Sequence, residues 1–299
     1  MPPERTSQSY GPGVTSASKA VLLEVMTTLR AYQDALVLVG GWVPSLLLQQ
    51  HQRPEDSFVH VGSIDIDLAI DSTRIAETHY ATIVELLSAR GYHPVNDRRG
   101  TVIPGSLERR VHSPATKKPY VIRVDFLTST TGAEDSRRFH GIQDGLLARK
   151  LKGCDAAFRY QTSIALTGTL PEGGHLTLPL RMADVVGALT MKGIVLGERY
   201  REKDAYDIYA LMAHYGHGPR EVAACLAPHV GDPLVAESLE CIRTAFATRS
   251  AHGPAWVAAF LTQPLFDHER QRLTTDAWLT VQECLRGLHQ PVSSGGLSS

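Results

Sequence analysis

Gly62-Ser63-Ile64-Asp65-Ile66-Asp67-Leu68-Ala69-Ile70-Asp71 sets two carboxylates one residue apart inside an otherwise apolar, β-favouring run. Its alternation predicts a strand over 64–70, with Ile64, Ile66, Leu68 and Ile70 on a buried back and Asp65 and Asp67 on an acidic front. Aspartate is disfavoured inside strands, and crowding two of them is costly unless a cation holds both. The expected cation is Mg²⁺, which takes hard oxygen ligands and arrives with nucleotide phosphates.

Upstream, residues 18–31 have helical periodicity through Val21, Leu22, Val25, Met26 and Leu29, and the apolar run Leu36-Val37-Leu38-Val39 then ends at Gly40-Gly41. An apolar helix with Pro44 in its first turn follows over 42–50. A glycine pair between strand and helix is a tight turn, or a place where backbone amides and the helix's positive end meet a phosphate. It is neither a Walker loop nor a dinucleotide fingerprint.

Downstream, 73–90 reads as an amphipathic helix and 101–119 as loops around a short strand. Residues 120–127 read as a strand that sets Asp125, Arg123 and Val121 opposite Ile122, Val124 and Phe126. A hairpin about Gly173-Gly174 is expected over 158–180, and helices from Arg181 to about Leu288. The domain reading is a disordered tail over 1–18, an α/β domain over 19–157, a hairpin plus helical domain over 158–289, and a second tail over 290–299.

With 299 residues, 43% hydrophobic and 20% charged, the composition is that of an ordinary globular chain. No apolar stretch approaches the roughly 18 residues of a membrane span, and the polar, Pro- and Gly-containing start lacks a basic-then-apolar leader. Cys154, Cys225, Cys241 and Cys284 form no Cys-x-x-Cys pair, which fits a reducing cytoplasm better than a disulfide framework. The formal net charge of −1 hides an asymmetry, because twelve Lys or Arg face six Asp or Glu between Asp97 and Lys152. Doublets such as Arg98-Arg99, Arg109-Arg110 and Lys117-Lys118 in that stretch are either solvated charge or a patch for phosphates and nucleic acid.

In the helical half, Arg199, Lys203 and Asp207 follow Lys192 at offsets of 7, 11 and 15 residues, one stripe if the helix is continuous. Gly193 and Gly197 make a helix, turn, helix an equal alternative. Lys203 and Asp207 stand one turn apart and pair either way, in the simplest reading on a solvated face. His214-x-x-His217 lacks the Cys or Glu partners of a metal site and reads as a helix end.

Gly40-Gly41-Trp42 after a strand, Ser63-Ile64-Asp65-Ile66-Asp67-Leu68 two dozen residues on, and Lys192-x6-Arg199-x3-Lys203-Asp204-x2-Asp207 together resemble the AbiEii family. These are nucleotidyltransferase toxins, type IV toxin–antitoxin-like, of the polymerase-β-like superfamily. The resemblance covers roughly residues 35–215. The acidic pair is shared across the superfamily, and the helical pattern narrows it to this family.

The resemblance implies an α+β fold: a mixed nucleotidyltransferase sheet with flanking helices, and an α-helical C-terminal domain closing over the nucleotide. It implies that Gly40 and Gly41 cradle the triphosphate, that Asp65 and Asp67 bind Mg²⁺, and that Asp125 is a further metal ligand or a base. Lys192 would lie against the phosphates, with Asp207 completing the site and Ser63, Arg199, Lys203 and Asp204 adding nucleotide contacts. Gly41 stands where many relatives have serine, and His60 and Ser63 where many have a basic residue and threonine; neither change removes a metal ligand.

The expected activity is transfer of a nucleoside monophosphate from NTP to an acceptor with loss of pyrophosphate. The family implies an RNA acceptor, with the tRNA 3′ end leading, in a toxin that blocks translation and growth and has a cognate antitoxin. Two other readings are transfer to a small molecule such as an antibiotic hydroxyl, and a non-catalytic nucleotide-binding module.

Overall fold

Among the described residues, the acidic strand lies inside a mixed sheet of nine strands. They are β1 (Leu36–Val39), β2 (Ile66–Ile70), β3 (His93–Asn96), β4 (Val102–His112), β5 (Pro119–Thr128), β6 (Phe139–Gln143), β7 (Leu146–Lys150), β8 (Gln161–Thr169) and β9 (His175–Ala183). The order is β3-β4-β5-β2-β1-β9-β8, with β7 against the end of β5 and β6 against β7. β2 runs antiparallel to β1 and parallel to β5, so Asp67 faces Val39 on one side and Asp125 on the other. All four residues of β1 are buried, as an apolar run in mid-sheet should be. The computed structural model describes residues 6–75, 81–130, 138–199, 202–262 and 267–288.

Helix α1 (Pro12–Thr28) packs on β4, β5, β8 and β9. It begins inside the expected tail, because Pro12 presets its first turn and Ala17 and Ser18 are fully buried; residues 1–5 and 290–299 of the two expected tails lie outside the described residues. The strand predicted over 64–70 starts at Ile66; Asp65 precedes it in a bend, where the Ser63 hydroxyl donates to the Asp65 carbonyl at 2.9 Å.

The helix expected over 73–90 is interrupted. Ser72–Arg74 is a single 3₁₀ turn, and a capping box between Thr82 and Glu85 starts a separate helix, α3 (Ile83–Ser88). Residues 76–80 lie outside the described residues. The short strand expected between 101 and 119 is present as β4, eleven residues long, because β3 and β5 supply its hydrogen bonds from both sides. The hairpin near Gly173-Gly174 is present as β8–β9, preceded by α4 (Cys154–Arg159).

The chain divides into two compact units, residues 1–46 with 59–191 and residues 47–58 with 192–299. The expected boundary at 157/158 is therefore displaced: β9 pairs with β1 through Leu38 and Met182, which makes the hairpin part of the sheet. Two helices cross the division, α2 (Trp42–His51) and α5 (Val185–Glu198).

The second unit is helical, with α6 (Glu202–His214), α7 (Pro219–Leu226), α8 (Pro233–Ala245), α9 (His252–Leu261) and α10 (Asp267–Gly287). Fully buried Tyr206 meets Phe260 with ring centroids 4.7 Å apart. Residues 51–58 are pinned to this unit by the end of α6. His214 Nδ1 lies 2.6 Å from Asp56 Oδ2, the Phe58 ring stacks on the imidazole at 3.8 Å, and Gly216 N–H donates to the His51 carbonyl. His217 N–H donates to Glu221, so His214-x-x-His217 is a helix end. No described helix is long and apolar enough to cross a membrane.

Phe126 is fully buried on the back of β5. Phe126→Ala is expected to cost about 3–5 kcal/mol in chemical denaturation, the range for emptying an aromatic core site.

Candidate functional site

Gly40 has φ +74°, and a Cβ at this position would lie 2.1 Å from Asp67 Oδ2. The Asp67 carboxylate thus sits against bare backbone at the turn that opens α2, near the end of a helix where negative charge is favoured. Parallel pairing sets Asp125 beside Asp67 on the same sheet face. The carboxylates that the sheet holds side by side are therefore Asp67 and Asp125, with Asp65 just before the strand.

Asp125 has its own partners. Arg123 Nε donates to its Oδ1 at 2.7 Å, the Ser106 hydroxyl donates to the same oxygen, and an Arg123 terminal nitrogen donates to Ser106 Oγ at 2.6 Å. Neither Arg123 nor Ser106 was among the sequence-derived site residues. Arg123 carries a signal, two residues before Asp125 on one strand; Ser106 becomes visible only once β4–β5 register pairs it with Asp125.

In the second unit, Lys192 Nζ lies 2.8 Å from Asp204 Oδ1 and 2.6 Å from Asp207 Oδ2. Lys203 Nζ lies 2.7 Å from Asp207 Oδ1, and Arg199 is 3.2 Å from Asp204 Oδ2. The predicted Lys203–Asp207 pair is present, but on a buried rather than a solvated face: Asp207 has no exposed surface and Asp204 almost none. The stripe is not one continuous helix: α5 ends at Glu198 and α6 starts at Glu202, with residues 200–201 outside the described residues. Gly193 does not interrupt α5; it admits α8, since a Cβ there would lie 2.1 Å from Ser238 Oγ.

Burial disfavours charge on Lys192, but Asp204 and Asp207 outweigh it and hold its pKa above the ordinary lysine value. Burial lowers the pKa of Lys203, helped by the charge of Lys192 and opposed by the carboxylates of Asp207 and, more weakly, Asp204. Burial raises the pKa of Asp204, yet Lys192 and Arg199 pull it below the usual carboxylate range. The two lysines balance the two aspartates, so the surplus charge of the cluster rests on Arg199, whose side chain is 41% exposed.

No protein-family model matches the chain, and no curated protein does.

Among the described residues no group of three or more His, Cys, Asp or Glu side chains is gathered to hold a metal ion. Asp65, Asp67 and Asp125 are thus not a ready three-ligand set, and one oxygen of Asp125 is taken by Arg123 and Ser106. Mg²⁺ asks for less: it keeps several waters and binds through one or two carboxylates plus substrate phosphates. Asp67 on β2 and Asp65 in the bend before it are the two carboxylates expected to meet that demand. Gly40 and Gly41 form the β1–α2 turn, while the Ser63 hydroxyl is used within the bend before β2.

Gly40→Ala requires left-handed backbone from a residue with a Cβ and displaces Asp67. A loss of at least about 1–2 kcal/mol is expected in thermal or urea denaturation. Asp204, with its depressed folded pKa, contributes stability above the ordinary aspartate value, and this is lost as pH falls through the folded value. Asp204→Asn should accordingly flatten the acid limb of a melting temperature–pH profile below about pH 4.

Proposed function

We propose that this chain is a Mg²⁺-dependent nucleotidyltransferase of the AbiEii kind, with the polymerase-β-like fold, that moves a nucleoside monophosphate from NTP to RNA. The observation that carries this reading is the carboxylate of Asp67, in register with Asp125 and lying against Gly40 at the turn that opens α2. A nucleotide needs both parts of that arrangement, acids for its metal and a glycine turn for its phosphates.

Asp65 and Asp67 hold the metal, and the backbone amides of Gly40 and Gly41 receive phosphate oxygens. When bound, Mg²⁺ offsets triphosphate charge and favours in-line attack at the α-phosphorus. Lys192, kept protonated by Asp204 and Asp207, supplies fixed positive charge, and Arg199 has donors left for the leaving pyrophosphate. Asp207 orients the two lysines. Asp125, partly exposed beside Asp67, is the carboxylate that takes the acceptor's proton. The acceptor is RNA, with the tRNA 3′ end first, and the physiological setting is a growth-blocking toxin with a cognate antitoxin.

The test is incubation with each labelled triphosphate, Mg²⁺ and total RNA. Label should enter RNA, and Asp65→Ala/Asp67→Ala should reduce transfer on the order of 10²-fold or more while circular dichroism is unchanged. Transfer that survives the double substitution overturns the metal assignment. Label on a small acceptor instead moves the function to antibiotic-type modification, and saturable NTP binding without transfer moves it to a nucleotide-binding module.

A further inference from the structure

The acidic front of the sheet continues into a basic one. Along β5, Val121, Arg123 and Asp125 share a face, and the β4 partners Arg110, Glu108 and Ser106 stand opposite them in turn. Past Val121 and Arg110 the same face carries His112, opposite Pro119, and the hairpin closes through Lys117 and Lys118. Arg110, His112, Lys117 and Lys118 are exposed, as is Val121 at 56%. From Asp125 to Pro119 the face runs about 20 Å at the usual strand rise of roughly 3.3 Å per residue.

This row is separated from other charge by strand alternation. Arg109 goes to the opposite face, where Glu24 of α1 and Glu172 pair with it and its guanidinium lies 5.6 Å over the Tyr92 ring. Glu108 on the front is matched by His93 at 3.5 Å. Among the described residues, Arg110, His112, Lys117 and Lys118 have no carboxylate within ion-pair distance.

The far end is rigid. Ser113 N–H donates to the Lys118 carbonyl and Lys117 N–H to the Ser113 carbonyl, each at 2.8 Å, and Ala115 N–H donates to Ser16 Oγ on α1. Lys117, at φ 59°, takes the left-handed conformation that this turn requires.

We propose that the front of the β4–β5 hairpin is a backbone track for a single-stranded nucleic acid, with Lys117, Lys118, Arg110 and Arg123 meeting successive phosphates and Asp67 and Asp125 at its end. The proposal rests on the nucleotidyltransferase reading and names the surface that takes its acceptor. A row of spaced cations fits a linear polyanion, the exposed Val121 and Pro119 between them offer apolar surface to sugar and base, and the row ends at the acids.

The test measures binding of a fluorescein-labelled single-stranded RNA oligonucleotide by anisotropy across a KCl series, with no triphosphate present. Arg110→Glu/Lys117→Glu/Lys118→Glu should raise the Kd at least about tenfold and reduce the slope of log K against log salt by about 2, the value for three lost contacts on a single strand. Its melting temperature and its binding of Mg²⁺–NTP should match wild type. A control with the same charge change on exposed positions of the second unit, Arg249→Glu/Arg270→Glu/Arg286→Glu, should shift Kd less than twofold. Unchanged affinity in the hairpin variant, or an equal loss in the control, overturns the track. Hairpin-dependent binding by a wild-type protein that transfers no label to RNA supports the track while the catalytic reading falls. Transfer to RNA that the hairpin variant performs at wild-type rate overturns the track and leaves catalysis intact.

Discussion

Asp207 has no exposed surface, and its charge is met by Lys192 from α5 and by Lys203 from its own helix. An ion buried this deeply is tolerated only with close partners, so α5 has to reach α6 near enough for one ammonium to serve two carboxylates. Gly193 lets α8 close on the other side of α5, and Arg199, in the break between the helices, takes the second oxygen of Asp204. Helices α5 and α6 are thereby joined by charge from Lys192 and Arg199 to Asp204. The first unit answers Asp125 differently, by a guanidinium and a hydroxyl on neighbouring strand positions, while Asp67 lies where a side chain at Gly40 would be.

The elements with a clear period were legible in the sequence. β1, β2, β5, the β8–β9 hairpin and the helical second half fell close to where alternation and 3.6-residue spacing put them. The sequence was silent where a neighbour supplies the structure. β4 carries Pro104, Gly105 and alternating charge, and becomes a strand because β3 and β5 flank it. Residues 12–17 look like a polar tail until α1 is seen against the sheet. For the candidate site, Gly40, Asp67 and Asp125 could be named from strand logic alone. Ser106 could not, since pairing register is a property of two strands, and burial of the Lys192 cluster could not, since a charged stripe reads the same on a wet or a dry face.

Linear charge density also misleads. Arg109-Arg110 looks like one basic point, but consecutive strand residues leave on opposite faces. One arginine becomes a half-buried link between α1 and the sheet, and the other stands exposed on the opposite face. The excess of cations between Asp97 and Lys152 is thus divided between holding the first unit together and giving one face of it a direction, from basic turn to acidic strand ends.

The excursion of residues 47–58 into the helical unit bears on how the chain is made. A ribosome delivers Asp56 158 residues before His214, its partner. The segment that links α2 to the acidic strand leaves the exit tunnel with its aromatic and carboxylate anchors exposed, and β1 waits almost as long for β9. Neither unit is a continuous stretch of chain, so each can close only once residues far along the sequence are present, and these long loops carry a closure entropy that local contacts do not offset.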